Sequence, residues 1–566
     1  MSPENKNDRP AVREPENGFK HHFTEDNRVN ALLNKMVDQV QAFTEVQLDH
    51  IRRLTQIGAA LSAERNLGRL LEVIIDEARK FSNADGGTLY IMSDDEDALE
   101  FAIVQTESLA IRMGGTGDKI TWPPVALKNA DGTPNYAQVS AFAALSGEVV
   151  NIPDVYNAEG FNFEGTKKFD STTGYRSRSM LVVPMRNHEN DIIGVLQLLN
   201  ARDSETGAVV NFSLESQRMT ESLASQAAVT LTNQRLIQDL ENLLESFIRS
   251  IGSAVDEKSP YTGGHIRRVA ELTIDIARKV NEAKDGIWAD VSFRPDEMRE
   301  LRMAAWLHDV GKIITPEYVI DKSTKLETIC DRIELLKTRF EVLKRDYIIA
   351  KLKRGEAVDM SEFPAGDASD GEYLKQLEED LAFLEEVNLG AEFMADGKLE
   401  RLQKIAGRRW LCHGDSRPLL TDDEIKNLSI RRGTLTDEER EVINNHALVT
   451  MKMLSQLPFP RKLKNVPIYA ATHHEKLDGS GYPWGWKADQ LTLQSRILAL
   501  ADIFEALTAR DRPYKKGKTL SEVMKIMGFM VKDGHIDGDL FDLFVKERLH
   551  IEYARKELPP RQVDME

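Results

Sequence analysis

Leu301-Arg302-Met303-Ala304-Ala305-Trp306-Leu307-His308-Asp309-Val310-Gly311-Lys312 is an apolar helical run that ends on an imidazole, a carboxylate and a glycine. Adjacent helical positions splay by about 100°, so neighbouring His and Asp side chains can face different partners. Downstream stand a lone His446, the doublet His473-His474, Asp502, and the tripeptide Gly481-Tyr482-Pro483. Burying one polar group without a partner costs roughly 2–7 kcal/mol. Six such groups converging would need a cation, and the set is large enough for two metal ions. The chain has 2 cysteines, Cys330 and Cys412, which suit neither a disulfide framework nor a zinc knuckle. The expected ligands are therefore nitrogen and oxygen.

Working outward, 566 residues are enough for several domains, each with its own core. Hydrophobic residues make up 41% and charged residues 29%, a globular composition, while Met1 to Asn27 have no apolar run and read as part of a disordered tail, 1–28. No signal peptide is visible, and the longest apolar runs, such as Ile192 to Leu199, are too short to cross a bilayer. A cytoplasmic protein that does not span a membrane is expected. The formal net charge of -18 argues against an extended surface for long nucleic acid. A small anionic substrate needs only a local basic cluster.

Leu32, Met36, Val40 and Phe43 recur at helical spacing, which predicts an amphipathic lead-in helix over 29–58. From 59 to 236 the pattern becomes α+β: a helix over Leu67 to Phe81, strands at Gly87 to Met92, Ser179 to Pro184 and Gly194 to Leu199, then a long helix. This region resembles a GAF domain over Asn151-Ile152-Pro153-Asp154, Phe169-Asp170, Thr173-Gly174-Tyr175-Arg176-Ser177-Arg178-Ser179 and Gly194 to Asn200. The likeness is greatest to GAF domains that bind cyclic nucleotides, which implies a cyclic nucleotide as ligand. Of their Asn-Lys, Phe, Asp-Glu signature the chain keeps Asn200 and Phe212 and differs at the rest. The other reading of this fold is a dimerising scaffold.

Ile237, Leu240, Leu244, Phe247 and Ile251 step by three and four, which predicts a coiled-coil linker helix over 237–255 and a parallel homodimer. The region 256–566 resembles the HD superfamily of metal-dependent phosphohydrolases and, within it, the HD-GYP family, whose members hydrolyse cyclic di-GMP. The residues that carry the likeness are His308 to Lys312, His473-His474-Glu475, Asp478 to Pro483, and Ala501 to Thr508 running on to Lys515. The resemblance implies an all-α domain in which His308, Asp309, His446, His473, His474 and Asp502 bind two divalent metal ions, with Asp309 as the bridge and His265 as a further candidate ligand. Iron is the first expectation, then manganese, with zinc also compatible. Some members hold a third ion with a carboxylate four residues before the position of His265, where this chain has Tyr261.

The resemblance also implies catalytic roles for Asp309 and Lys312, and substrate contacts from Lys312, Tyr482, Arg512 and Lys515, residue types suited to phosphate. Cyclic di-GMP would open to linear pGpG and onward to GMP. The alternatives are a slow HD-GYP receptor that meets signalling partners, and a hydrolase of another cyclic nucleotide. One stretch departs from the family, an insertion over 323–432. Its Ile329, Ile333, Leu336, Phe340, Leu343 and Tyr347, and then Leu374, Leu377, Leu381 and Leu384, predict two antiparallel helices. Cys412 and His413, near its end, are read as structural. Thr436 and Glu439 predict a capping box for a helix that carries His446.

Overall fold

The structure, a computed structural model, describes residues 23–24, 26–64, 66–258, 263–355, 368–390, 392–509 and 517–565. Met1 to His22 of the expected tail, Tyr261, Arg512 and Lys515 lie outside the described residues. The chain divides into two units, Met1–Glu241 and Asn242–Glu566. Among the described residues no helix is long and apolar enough to cross a membrane.

The first unit opens with helices α1 (Asn27–Ala63) and α2 (Leu67–Ser82). Strands β1 (Ala84–Met92), β2 (Ala98–Thr106), β3 (Ile111–Gly114) and β4 (Val125–Ala126) follow. Then come α3 (Val139–Ser146), β5 (Val150–Ile152), α4 (Glu164–Thr173), β6 (Met180–Arg186), β7 (Ile192–Arg202) and β8 (Val209–Val210). Helix α5 (Leu214–Asp256) begins here and continues into the second unit. The antiparallel sheet runs β3-β2-β1-β7-β6-β5, with β4 beside β2 and β8 beside β7.

The central strands are almost continuously apolar because both faces of the sheet are covered. Leu89, Leu181, Val183, Leu196 and Leu198 join α2 and α5 in one core, while Tyr90, Met180, Val182 and Val195 join α3 in another. That is the two-residue period of a strand buried twice. The GAF-like motif residues are engaged locally. Asp170 accepts hydrogen bonds from the Ser177 amide and hydroxyl and from Tyr156, and Asn200 bonds the Arg178 amide and the Arg176 carbonyl. They fasten the segment between α4 and β6.

Two expected stripes meet different surroundings. On α1, Leu32, Met36, Val40 and Phe43 are exposed, and Ile57 and Leu61, near its C-terminal end, enter the core. The stripe read as a single seam on α5 is divided. Leu244 and Ile251 pack with buried Ile248 and Val255 in a core of the second unit, whereas Leu236, Ile237, Leu240, Leu243 and Phe247 are exposed. A spacing of three and four marks a helical face but does not say how wide the covered face is; here two seam residues, Leu244 and Ile251, are covered together with Ile248 and Val255, and the other three are not.

The second unit is helical around its site. It contains α6 (His265–Glu282), α7 (Pro295–Leu307), the 3-10 turn Val310–Ile314 and α8 (Glu317–Ile320). The insertion follows as α9 (Ile333–Lys353) and α10 (Ala368–Asn388). Lys337 pairs with Glu385 and Lys344 with Glu378, so these two helices run antiparallel. The expected helical hairpin is, however, only part of the insertion. Helix α11 (Asp396–Ala406), a β-hairpin of β9 (Arg409–Cys412) and β10 (Asp415–Pro418), and α12 (Asp422–Leu428) complete it. Leu336, Phe340, Leu377, Leu384, Leu402, Leu419 and Leu428 form its own core, while Ile329, read as the first seam residue, is 99% exposed. His413 and Gly414 take positive φ at the hairpin tip, a turn that strands this short do not announce by periodicity.

Beyond the insertion lie α13 (Asp437–Asn444), α14 (His446–Leu454), α15 (Val466–Ala471), α16 (Leu493–Thr508), α17 (Leu520–Lys532), α18 (Gly538–Lys546) and α19 (Leu549–Glu557). The Thr436–Glu439 capping box is present, but α13 stops before His446, which opens the separate helix α14. Fully buried Lys322 ties the two ends of the insertion by donating to Asn427 and Glu439.

Candidate metal centre

Three histidines reach the centre by the same local device. His308 follows the last turn of α7, His446 starts α14, and His473 lies just past α15. In each, Nδ1 bonds the carbonyl three residues back: Ala305 at 2.8 Å, Ile443 at 2.6 Å and Ala470 at 2.5 Å. A carbonyl can only accept, so Nδ1 carries the proton and Nε2 is left with a lone pair. All three Nε2 atoms, and Asp309 Oδ1, are buried and make no hydrogen bond. Each such group costs about 1–3 kcal/mol when left unmade, and cations bound on either side of Asp309 would satisfy them.

Asp309 sits between two histidine pairs. Its Oδ1 is 3.4 Å from His446 Nε2 and 3.9 Å from His473 Nε2, while Oδ2 is 3.2 Å from His308 Nε2 and 3.4 Å from His265 Nε2. Asp502, on α16, lies 3.4 Å from His265 Nε2, 3.8 Å from His308 Nε2 and 3.9 Å from His474 Nδ1. The ligand atoms of His265, His308 and Asp502 lie within 4.8 Å of one another, as do those of His446, His473 and His474, and those of His308, Asp309 and His473. The structure thus brings all six expected positions together with His265, and their donor set fits two cations that share Asp309.

The imidazoles divide: His473 and His474 are held neutral, whereas against burial Asp309 and then Asp502 raise His308, a proton that a bound cation would displace. Burial holds His473 well below the ordinary imidazole range and pushes His474 down to about 3, so both are neutral lone-pair donors. Burial opposes the charge on Asp309, but Lys312 and His308 outweigh it and keep the carboxylate ionised. Asp502 is likewise held low against burial, chiefly by His265. His265 is held well above its usual value, since its bonds to Asp309, Asp502 and Glu505 outweigh burial.

Sequence reasoning missed several supports. Glu505 lies one helical turn past Asp502 and is fully buried; it takes His265 Nδ1 at 2.5 Å and Arg268 Nε at 2.7 Å, which sets the imidazole's orientation. A glutamate inside an apolar helix face was the available signal. Thr450 Oγ1 accepts the Gly311 amide at 3.0 Å and donates to the His308 carbonyl at 3.1 Å. Glu475 accepts three successive amides, Trp484 at 2.7 Å, Gly485 at 3.1 Å and Trp486 at 3.0 Å, and so closes the Gly-Tyr-Pro loop. Gly481 is required there, because a Cβ would come within 2.5 Å of Glu475 Cα.

Of the expected substrate contacts, Lys312 donates to Asp309 Oδ2 at 2.7 Å. The Tyr482 ring lies 4.8 Å from that of His474, and burial keeps its phenol protonated.

Residues 66–231 match the GAF domain family, and residues 262–369 and 422–540 match models of the HD domain. The chain is 39% identical over 145 residues to 3'3'-cGAMP-specific phosphodiesterase 1 of Vibrio cholerae, covering 26% of this chain and 32% of that protein. It is 34% identical over 146 residues to a cyclic di-GMP phosphodiesterase of Pseudomonas aeruginosa, covering 26% and 33%. A cyclic di-GMP phosphodiesterase of Thermotoga maritima is 40% identical over 96 residues, covering 17% and 26%. The chain spans about a third or less of the length of these curated relatives.

Proposed function

We propose that this chain, which joins a GAF domain to an HD domain of the HD-GYP family, is a metal-dependent phosphodiesterase that opens cyclic di-GMP to linear pGpG and then GMP under control of the GAF domain. The observation that carries this reading is the group of buried, unbonded ligand atoms around Asp309. His265, His308, Asp502 and one oxygen of Asp309 would hold one divalent cation; His446, His473, His474 and the other oxygen would hold the second. When bound, the cations supply Lewis acidity that activates water and neutralises a phosphoryl group.

The chain's own groups do the rest. Lys312 keeps its charge beside Asp309, because that carboxylate outweighs the effect of burial, and so fixes the bridging side chain. Protonated Tyr482 offers a hydrogen bond at the rim, and Arg512 and Lys515 are proposed for the phosphates. The exposed residues Leu236, Leu240, Leu243 and Phe247 are proposed as the seam of a parallel homodimer. A cyclic nucleotide in the GAF domain, signalling partners at the Gly-Tyr-Pro loop and a cytoplasmic setting complete the proposal.

The identity to a 3'3'-cGAMP-specific relative favours one second reading, the hybrid cyclic dinucleotide as substrate. Protein purified without air, with metal content measured, would be incubated separately with cyclic di-GMP and 3'3'-cGAMP. A linear dinucleotide is expected, and the faster substrate decides between the readings. Protein carrying two ions per chain that cleaved neither would reject both. In the same assay Glu475→Gln is expected to lower turnover about tenfold with metal content unchanged, the size typical of outer-shell partners. Its amide nitrogen would face a backbone N–H, so the loop holding Tyr482 would loosen.

A further inference from the structure

The last residues of α5 reach the metal centre from behind. Asp256, its final residue, is 6% exposed and accepts the Ile266 amide at 3.1 Å, directly after His265. Two residues on, Lys258 Nζ lies 3.1 Å from the Lys312 carbonyl, 2.5 Å from that of Ile313 and 2.6 Å from that of Thr315. These carbonyls close the 3-10 turn that begins right after Asp309. The Lys312 carbonyl also accepts the Thr315 amide at 3.0 Å; otherwise a helix end leaves its last carbonyls without partners inside the helix and carries partial negative charge. An ammonium with three protons can answer three of them.

Ile313 and Ile314 are 51% and 59% exposed, and the inner side is held by the bond from the Gly311 amide to Thr450. Three residues, 256–258, therefore grip both the start of α6, which bears His265, and the turn that follows His308 and Asp309.

We propose that Lys258 is a positioning residue: by gathering three carbonyls it fixes the turn so that the two oxygens of Asp309 face separate histidine pairs. With Asp256 it makes the end of α5 the point at which a change in that helix reaches the ligands. The inference deepens the metallohydrolase reading of the same site and rests on it.

The test uses the full chain with Lys258→Met and Lys258→Arg, followed by amide hydrogen exchange over 308–315 in metal-free protein, Mn2+ affinity, and the urea midpoint. In Lys258→Met, exchange is expected to rise about tenfold at Lys312 and Thr315, whose amides bond within the turn. Mn2+ affinity is expected to fall about tenfold with the midpoint unchanged, and Lys258→Arg should recover both local readings. Wild-type exchange and wild-type affinity in Lys258→Met would overturn the proposal. If the wild-type chain bound no Mn2+, the functional reading would fail, while exchange would still decide the role of Lys258. Should Lys258→Met not fold, Lys258→Gln, which keeps two donor hydrogens on a shorter arm, is judged by the same measurements.

Discussion

Asp309→Asn is expected to lower cyclic-dinucleotide turnover by at least about a thousandfold, roughly 4 kcal/mol of transition-state stabilisation, and to remove bound metal. The substitution keeps the side chain's shape. It replaces one of two oxygens, each of which faces a different histidine pair at 3.2–3.9 Å, with an amide nitrogen that cannot donate to a cation. The metal-free protein should respond differently. There the new N–H group can donate to an Nε2 lone pair of His308, His446 or His473 that has no partner in the native arrangement. Lys312 loses a charged neighbour, but its side chain is 27% exposed and can turn to water. The thermal midpoint of the metal-free variant should therefore not fall along with activity, a separation expected of a site whose geometry serves function rather than stability. Two ions per chain and turnover within tenfold of wild type would contradict the bridging role.

Gly311→Ala is the substitution expected to damage the fold and the site together. A Cβ at Gly311 would lie 2.0 Å from the His446 carbonyl and 2.8 Å from the Thr450 amide. Neither neighbour can turn aside, since both are backbone atoms in the first turns of α14. The 3-10 turn and α14 would have to separate, which moves His446 away from Asp309. Overpacking of this kind costs about 3 kcal/mol, the upper end of the usual range, and a displacement of about 1 Å at a reacting centre costs on the order of a hundredfold in rate. Gly397→Ala is the control. A Cβ there meets open space in the first turn of α11, and the change should stabilise by about 0.5–1 kcal/mol. Urea unfolding of both variants checks the contrast, and equal midpoints would mean that close approach is not why Gly311 is glycine.

What could be read from the linear chain follows from interactions that act over a turn or two. The apolar period predicted α2, α9 and α10, the Thr436–Glu439 pair announced the start of α13, and the residue types at His308, Asp309, His446, His473, His474 and Asp502 marked candidate nitrogen and oxygen donors, which the fold brings together. The Nδ1 bonds of His308, His446 and His473 are local in the same way, each reaching back three residues. The division of the α5 stripe between core and surface, the extra hairpin in the insertion, and the pairing of each Asp309 oxygen with its histidines required the folded chain. So did the bond from His265 to Glu505, 240 residues away, and the grip of Lys258 on a turn more than 50 residues downstream. Periodicity and capping record which conformation a segment prefers, because their energies are exchanged between near neighbours. Which distant groups meet is set by how whole helices pack, and that depends on the shape of the entire core.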